Sequence, residues 1–595
     1  MKCKLLFHLN SIALLGLLAL LGPLLAKPAA DPTSFVLETM VDFPDDVTSS
    51  NRPLTTEDID ALMAKLAGMG FRRVSWSYYG DGRGGYLNPT GYREDYQGQW
   101  DNYDATYRGL GNPLKVAVEA GHRHGLEIYA YFKPYETGPA YAFPEGSPEA
   151  RQWGLLDHKG GRLPWLDPFV RDHPNLRIKR RTDDMPAHQD KAPIRTIRLI
   201  KQDATPTRIT RDDLEIWTSP DNFRYQPTRA SFELTNTIEV APHDFRDLGG
   251  NVLARKGDPV RVLTLSGLDL QDKYVLVTTN LQDGKPDFTN SGLELMRAQD
   301  GNGREIAGLF ATGGAIAFAN LNNFREAGLM FDHGFGAKLV TLDASNRNGR
   351  RGLIAFTRGH NAYLAGALCE TEPEVRDFWL RCLNEMIAAG VDGVDFREEN
   401  HSTHTDYPQD YGYNDVVLGL ARAQPGNLRA NIAAVRGDAY TDFLRECKRR
   451  LGLAGKKMRY NLQLDYFRPD PPPQRLLAYP LNIDFQWRRW IDEGLMDEVI
   501  LRHFALPYSA IYEDPVAREM IERSQARGLP ITLNRYVSRN HAGSKLPQEL
   551  RRAQEDGRFR GFIFYEVYEF IKFGPKPGQC QVSLPSVDNA AASLP

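Results

Sequence analysis

The chain has 595 residues, in which 73 Lys and Arg side chains face 76 Asp and Glu, for a net charge of -3. This length exceeds that of one compact core, so we expect two or more domains, or one barrel carrying a large insertion. Because the chain has no basic excess, nucleic-acid binding has no electrostatic support and no nucleic-acid partner is expected.

The first 30 residues have the pattern of a secretory signal peptide. Lys2 and Lys4 precede the apolar run Ile12–Leu21, and small residues follow from Ala26 to Ala30. We therefore predict export to the periplasm or the extracellular space. A membrane anchor is the alternative, since the apolar run extends to Leu25. No later segment is apolar enough to span a bilayer, so no stable membrane span is expected after cleavage.

Helix and strand patterns alternate from about residue 54, as in "LTTEDIDALMAKLAGMG" followed by "RRVSWSYYG". The alternation stops near residue 190, where short β-prone runs separated by turn residues begin, and it resumes after residue 345. We predict a barrel in two parts, 31–193 and 346–575, an inserted β-rich domain over 194–345, and a C-terminal tail over 576–595.

Eight runs are predicted to be parallel strands alternating with helices, which indicates an α/β fold, a (β/α)8 TIM barrel with an inserted all-β, sandwich-like domain. The runs are "RRVSWSYYG", "LEIYAYFKPY", "GLIAFT", "VDGVDF", "MRYNLQL", "EVILRHF", "PITLNRY" and "GFIFYEV". No GxGxxG follows the first of them, which argues against a dinucleotide-binding fold.

Active sites of such barrels lie at the C-terminal ends of the strands, and these ends are rich in acids and aromatic residues here. Glycoside hydrolysis needs two carboxylates, and the candidates are Glu398, Glu566, Asp465 and Asp395. The residues predicted to bind substrate are Trp76, Tyr78, Lys133, Arg358, His360, Asn361, Arg397, Glu399, His401, Arg502, His503, Asn534 and Tyr565. Aromatic rings suit the C–H faces of sugars, so a carbohydrate substrate is expected.

The segment "ETEPEVRDFWLRCLNEMIAAGVDGVDFREENH" resembles the helix and fourth strand of a glycoside-hydrolase-like family related to family 10 glycosyl hydrolases. That family shows "NPEVRDY" followed by "YDVDGIHFDDY". The residues 373–377, 391–393 and Phe396 match, whereas Asp395 replaces a histidine and the paired acids of "FDDY" are here Arg397 and Glu398. The resemblance implies a TIM barrel that acts on a polysaccharide or glycoconjugate.

The sequence thus predicts an exported glycoside hydrolase, with Glu398 and either Glu566 or Asp465 as the catalytic pair. One alternative is a non-catalytic carbohydrate-binding protein on a degenerate barrel, because Arg397 replaces one of the paired acids. The other is a metal-dependent hydrolase using His401, His404 and Asp406 of "HSTHTD". No cofactor and no metal are expected in the preferred interpretation.

Overall fold

The computed structural model describes a closed barrel and an inserted β region. The residues it describes are 35–48, 50–78, 99–137, 167–183, 191–220, 225–228, 231–246, 252–281, 295–307, 309–312, 351–360, 362–398, 400, 402–403, 408–464, 482–502, 511–537 and 545–587. The predicted signal peptide therefore lies outside the described residues, and export stays a prediction.

Eight parallel strands form the closed barrel in chain order, so the predicted TIM-barrel fold is confirmed. We number them β1 (Val36–Val41), β2 (Arg73–Tyr78), β3 (Glu127–Phe132), β4 (Gly393–Phe396), β5 (Lys457–Gln463), β6 (Glu498–Arg502), β7 (Ile531–Tyr536) and β8 (Gly561–Tyr565). β8 pairs with β1 through Val36–Gly561 to Met40–Tyr565 and closes the circle. β1 was missed in the sequence, because the helix–strand alternation was read only from residue 54 onward.

Helices lie between successive barrel strands, and one short helix follows β8. They are Phe43–Thr48, Thr56–Gly68, Gln99–Leu110, Pro113–Arg123, Pro168–Asp172, Pro373–Ala388, Asp415–Arg422, Leu428–Leu453, Trp487–Asp492, Pro515–Ala526, Leu546–Glu555 and Val567–Phe570. Several begin at a proline that follows a polar N-cap residue. In the helix Pro113–Arg123 this residue is Asn112, whose side chain accepts a hydrogen bond from the Lys115 backbone N–H. No helix in the described part of the chain is long and apolar enough to cross a membrane.

The inserted region leaves the barrel after β3 and returns before β4. Its stalk is the antiparallel pair Arg177–Lys179 and Tyr363–Leu368. One sheet contains, in spatial order, Met296–Gln299, Ile194–Ile200, Pro259–Leu270 and Glu233–Val240; the other contains Leu309–Thr312, Arg351–Arg358, Tyr274–Thr279, Leu214–Ser219 and Gln226–Pro227. Both sheets contribute to one buried apolar cluster, as expected for two sheets packed face to face.

Two further antiparallel pairings of short strands complete the described strands. Phe245–Arg246 pairs with Val252–Ala254, and Ile571–Phe573 pairs with Cys580–Val582. The second of these lies beyond β8, where Arg52 donates to the Gly574 carbonyl and ties the segment to the start of the barrel.

The strand containing "GLIAFT" was predicted to be the third barrel strand, and this is wrong. Arg351–Arg358 pairs on both sides within the inserted five-stranded sheet. Arg358 accordingly donates to the carbonyl of Leu270 at 3.0 Å, inside the β region, and His360 follows it there. An apolar β-prone run suits a barrel or a sandwich equally well, so only the pairing partners decide between them.

The barrel interior contains a network of buried charges on the N-terminal side of the strand ends. Arg459 on β5 lies 2.7 Å from Glu38 on β1 and 2.8 Å from Asp395 on β4. Arg73 on β2 lies 2.8 Å from Glu38 and 3.1 Å from Glu498 on β6. Burial raises the pKa of Glu38 to about 7, against the opposing effect of both arginines. Through these contacts the two arginines connect β1, β2, β4, β5 and β6 across the interior.

Two glycines make room for these large side chains. A Cβ on Gly393 would lie 2.2 Å from the Tyr129 ring, and one on Gly561 would lie 2.8 Å from Thr532 Oγ1. Tyr129 is itself covered by the guanidinium groups of Arg73 and Arg459, at 4.6 and 4.9 Å from its ring centroid. Because the side chains around the buried charges are closely packed, only glycine fits at positions 393 and 561 without a shift of its neighbours.

Replacing Arg459 with Met should destabilise the barrel by about 3–5 kcal/mol, because Asp395 would remain buried without the cation beside it and Glu38 would keep only Arg73. The matched control is Arg449→Met, which removes an exposed arginine paired with Glu446. That change should have little effect, since exposed ion pairs contribute little. Urea unfolding followed by circular dichroism measures both. Equal urea midpoints for the two variants would show that the buried ion pairs of Arg459 do not stabilise the barrel more than an exposed ion pair does.

Candidate active site

The C-terminal ends of the barrel strands place a group of polar and aromatic side chains around one mouth. Strands β1, β3, β6, β7 and β8 contribute inward-facing residues to a single buried cluster: Met40, Tyr131, Ile500, Tyr536, Ile563 and Tyr565. Side chains alternate along a strand, so residues two positions further on also face inward. By that alternation Asp42, Lys133 and Arg502 lie at the mouth. Arg397 joins them from β4, two residues beyond the inward-facing Asp395.

Lys133, immediately after β3, connects two carboxylates at the mouth. Its Nζ lies 3.0 Å from Glu136 Oε2 and 3.9 Å from Asp42 Oδ2. All three side chains are buried. The predicted substrate residue Lys133 is therefore at the mouth, where it places a positive charge beside the carboxylate that ends β1.

Glu566 follows the last residue of β8 and is fully buried. Burial raises its pKa to about 8; Asp42 and Glu569 act in the same direction, while Tyr565 and Lys133 oppose them. Neither carboxylate oxygen has a hydrogen-bond partner of ordinary geometry among the described residues. Glu566 is consequently a carboxyl group that holds its proton at neutral pH, next to a second carboxylate.

Tyr565 forms the centre of an aromatic and cationic wall. Its hydroxyl is 3.3 Å from Arg397 Nη1, and the guanidinium of Arg502 lies 4.1 Å from its ring centroid. The Tyr536 ring is 5.5 Å away, and Arg397 also lies 5.3 Å from the Tyr131 ring centroid. The structure thus brings together three predicted substrate residues, Tyr565, Arg397 and Arg502.

Asn534 on β7 faces the barrel interior below this wall. Its side-chain amide lies 4.0 Å from Met40 Sδ. Its neighbour Arg535 points outwards and pairs with Glu549 on the helix Leu546–Glu555 at 2.6 Å. Because side chains alternate along β7, Asn534 faces the barrel interior and Arg535 faces outwards.

Trp76 and Tyr78 were predicted to bind substrate, but the structure places both in the outer layer of the barrel. Their neighbours Ser75 and Ser77 face inward, and Ser75 donates to Asp395 at 2.6 Å. Tyr78 instead donates its hydroxyl hydrogen to Glu385 on the helix Pro373–Ala388. Trp76 packs on Phe43 at 4.6 Å between ring centroids. The sequence of a strand end does not show which side chains point into the barrel and which point outwards.

Asp395 and Glu398 occupy different environments from Glu566. Asp395 lies inside the barrel, in the ion-pair network with Arg459. Glu398 is buried beside Tyr440 and Tyr460, whose pKa values are raised chiefly by burial and further by this carboxylate. Tyr440 belongs to the helix Leu428–Leu453, behind the barrel wall. Their catalytic roles stay predictions that this placement does not favour.

Several other candidates fall outside the described residues. They are Asn361, Glu399, His401, Asp465 and His503, together with His404 and Asp406 of the metal alternative. Within the part of the chain that the structure describes, no group of three His, Cys, Asp or Glu could hold a metal ion.

Asp42 and Asp46 are acidic residues at the mouth that sequence reasoning missed. Both are buried, and burial raises the pKa of Asp46, with Glu566 and Asp42 adding to the effect and Lys572 opposing it. The available signal was the apolar run Val36–Val41 ending directly in an acid. This pattern, an apolar strand followed at once by a charged residue, is also found at the ends of β4 and β8.

The loop that carries Lys133 and Glu136 is held by a buried ion pair. Arg436 on the helix Leu428–Leu453 contacts both oxygens of Glu370, at 2.6 and 3.0 Å. The Tyr135 hydroxyl donates to the same carboxylate at 3.1 Å. Thr137 further donates its backbone N–H to the Gly366 carbonyl in the stalk. The position of Lys133 is thus tied to the base of the insertion.

No protein-family model and no curated protein matches this chain. A similar solved structure is the glycoside hydrolase domain of PelA from Pseudomonas aeruginosa, with 12% identity over 36% of this chain and 68% of that chain, at a TM-score of 0.21. The GH18 chitinase ChiB from Flavobacterium johnsoniae shows 11% over 38% and 68%, at 0.20. The trehalulose synthase MutB from Pseudomonas mesoacidophila MX-45 shows 10% over 90% and 65%, at 0.33.

At these identities and TM-scores the similarities carry no inference about activity. The barrel assignment rests on the closed order of its eight strands. The relation to family 10 glycosyl hydrolases is not confirmed and stays a prediction from the segment 370–401.

The raised pKa of Glu566 should appear as a pH dependence of stability. The folded protein holds this proton up to about pH 8, whereas the ordinary value is 4.5. Glu566 therefore favours the folded state below pH 4.5, and this contribution is lost as the pH rises to 8. Unfolding by urea at several pH values should show the wild type losing stability relative to Glu566→Gln across this window.

Glu446→Gln serves as a control of opposite sign. Hydrogen bonds from Arg449 and Arg450 lower the pKa of Glu446 to about 2. Its stabilising contribution is present above pH 4.5 and is lost as the pH falls towards 2. A wild type whose stability tracks that of Glu566→Gln from pH 4.5 to 8 would show that Glu566 is not protonated as described.

Proposed function

We propose that this protein is an exported glycoside hydrolase whose active site is the mouth of the barrel, with Glu566 as the proton donor. The observation that carries the proposal is a pair of buried carboxyl groups, Glu566 and Asp42, at the C-terminal ends of two adjacent strands, and burial raises the pKa of Glu566 to about 8. In TIM barrels this end is where catalytic residues lie.

The chemistry follows from the two carboxyl groups. A carboxyl group that is protonated at neutral pH can donate its proton to the glycosidic oxygen as the bond to the anomeric carbon breaks. A second carboxylate then attacks that carbon or activates the water that does so, and water supplies the hydroxyl of the released sugar. Asp42 is the described residue that fits the second role, with Lys133 beside it.

The aromatic wall supports a sugar substrate. Tyr131, Tyr536 and Tyr565 line the mouth, and rings of this kind offer flat apolar surface to the C–H faces of a sugar. Arg397 and Arg502 add hydrogen-bond donors for hydroxyl groups on the same wall. Asp465 is the alternative partner of Glu566, as the sequence predicted.

Export is part of the proposal and is supported by the N-terminal pattern of two lysines, an apolar run and small residues. The N-terminal sequence of the protein recovered from a bacterial periplasm or medium should begin near residue 31. A protein that keeps its first residues in a membrane fraction would favour the anchor instead.

Reducing-sugar release from a broad panel of polysaccharides tests the proposal. Glu566→Gln should lower the rate at least about 100-fold, because general acid catalysis typically contributes that much. For the wild type, kcat/KM should fall as the pH rises above about 8, where Glu566 loses its proton. Asp42→Asn and Asp465→Asn decide which carboxylate is the partner.

The matched control is Glu549→Gln, which changes an acid on an outer helix and should leave the rate unaltered. Loss of activity in Glu398→Gln with full activity in Glu566→Gln would overturn the assignment and restore Glu398. Binding of a glycan without release, in the wild type as in every variant, would show a carbohydrate-binding protein on the same barrel.

A further inference from the structure

Two acids and two arginines reach the barrel mouth from different strands. The carboxyl groups of Asp42 and Glu566 follow β1 and β8, which are neighbours in the barrel. Arg397 and Arg502 lie at the ends of β4 and β6, which are four and two strands away from β8 in the circle of eight strands. In the described part of the mouth, the two arginines thus come from other strands than these two acids, and Lys133 is the cation that lies beside Asp42.

Tyr565 lies between these two groups. Burial raises its pKa; the nearby Glu566 and Asp42 carboxylates raise it further, and Arg397 and Arg502 lower it. Both guanidinium groups lie over this one ring, at 5.5 and 4.1 Å from its centroid. The two arginines are thus close enough to act on the same substituent of a ligand that rests on Tyr565.

Glu398 also ends β4, but it does not belong to this wall. Its carboxylate raises the pKa values of Tyr440, on the helix Leu428–Leu453, and of Tyr460, beyond the larger effect of burial. Arg397 and Arg502 are also almost fully buried, at 3% and 2% exposure. Each guanidinium group is a planar fork of donors that matches carboxylate and sulfate oxygens, and here two such groups pack on one aromatic ring.

We propose that Arg397 and Arg502 form a subsite for an anionic group carried by the saccharide, either the carboxylate of a uronic acid or a sulfate ester. The subsite lies across Tyr565 from the proposed acid, so the anionic group would be held away from Asp42 and Glu566. This inference rests on the proposed function only in taking the ligand to be a saccharide.

Calorimetric titration of the full chain with matched oligosaccharide pairs tests the subsite. One pair is an oligogalacturonate and its methyl ester, and the other is a sulfated oligosaccharide and its desulfated form. In each pair the two members share one backbone and differ in charge. Binding is measured in Glu566→Gln as well as in the wild type, so that a failure of hydrolysis does not affect the result.

We expect the anionic member of one pair to bind at least tenfold more tightly than its neutral form, and the pair in which this occurs identifies carboxylate or sulfate. Arg397→Met and Arg502→Met should each remove at least tenfold of the affinity for that member. Arg502→Lys keeps the charge and should retain part of it, which separates a lost contact from misfolding.

Arg535→Met is the matched control, because Arg535 also lies near the end of a barrel strand but faces outwards to Glu549. It should bind the anionic ligand like the wild type. Equal binding of both members in both pairs, tighter binding of the neutral members, or no binding of either anionic member at millimolar concentration would overturn the proposal. So would anionic binding that Arg397→Met and Arg502→Met leave unchanged.

Discussion

The interior of this barrel depends on Arg459, which contacts carboxylates from opposite parts of the strand circle. It lies 2.7 Å from Glu38 on β1 and 2.8 Å from Asp395 on β4. Burying such charges is unfavourable unless every partner is in place, so the network forms only when distant strands are correctly aligned. Arg73 repeats the arrangement from β2, with Glu38 and Glu498 as its partners. The layer thus specifies one strand register rather than merely filling the barrel.

The same register positions the mouth. Arg397 is two residues beyond Asp395, and Asp42 and Arg502 are each four residues beyond a network glutamate, Glu38 and Glu498. Because side chains at even spacing share one face of a strand, groups that meet in the network also fix which side chains converge above it. A slip of one residue would turn these side chains to the outer layer. The mouth is therefore built on the buried ion pairs beneath it.

The inserted β region is connected to this mouth through its stalk. Glu370, just after the stalk, is held by Arg436 and accepts a hydrogen bond from Tyr135, which lies two residues beyond Lys133. Both sides of the contact are buried, so the loop after β3 and the base of the insertion form one packed unit. An insertion at the C-terminal end of a barrel strand leaves from the face on which TIM barrels generally have their active sites.

The order of apolar runs and helical patterns was enough to predict the barrel, the inserted β region and the strand ends that hold Lys133, Arg397, Arg502 and Glu566. These follow from local periodicity, which a sequence carries directly. Tertiary structure decided the rest. Pairing partners moved Arg351–Arg358 from the barrel into the inserted sheet. The direction of each side chain placed Tyr78 and Glu398 behind the barrel wall and brought Asp42 beside Glu566. Strand pairing and side-chain direction depend on residues far apart in the chain, so local pattern alone does not determine them.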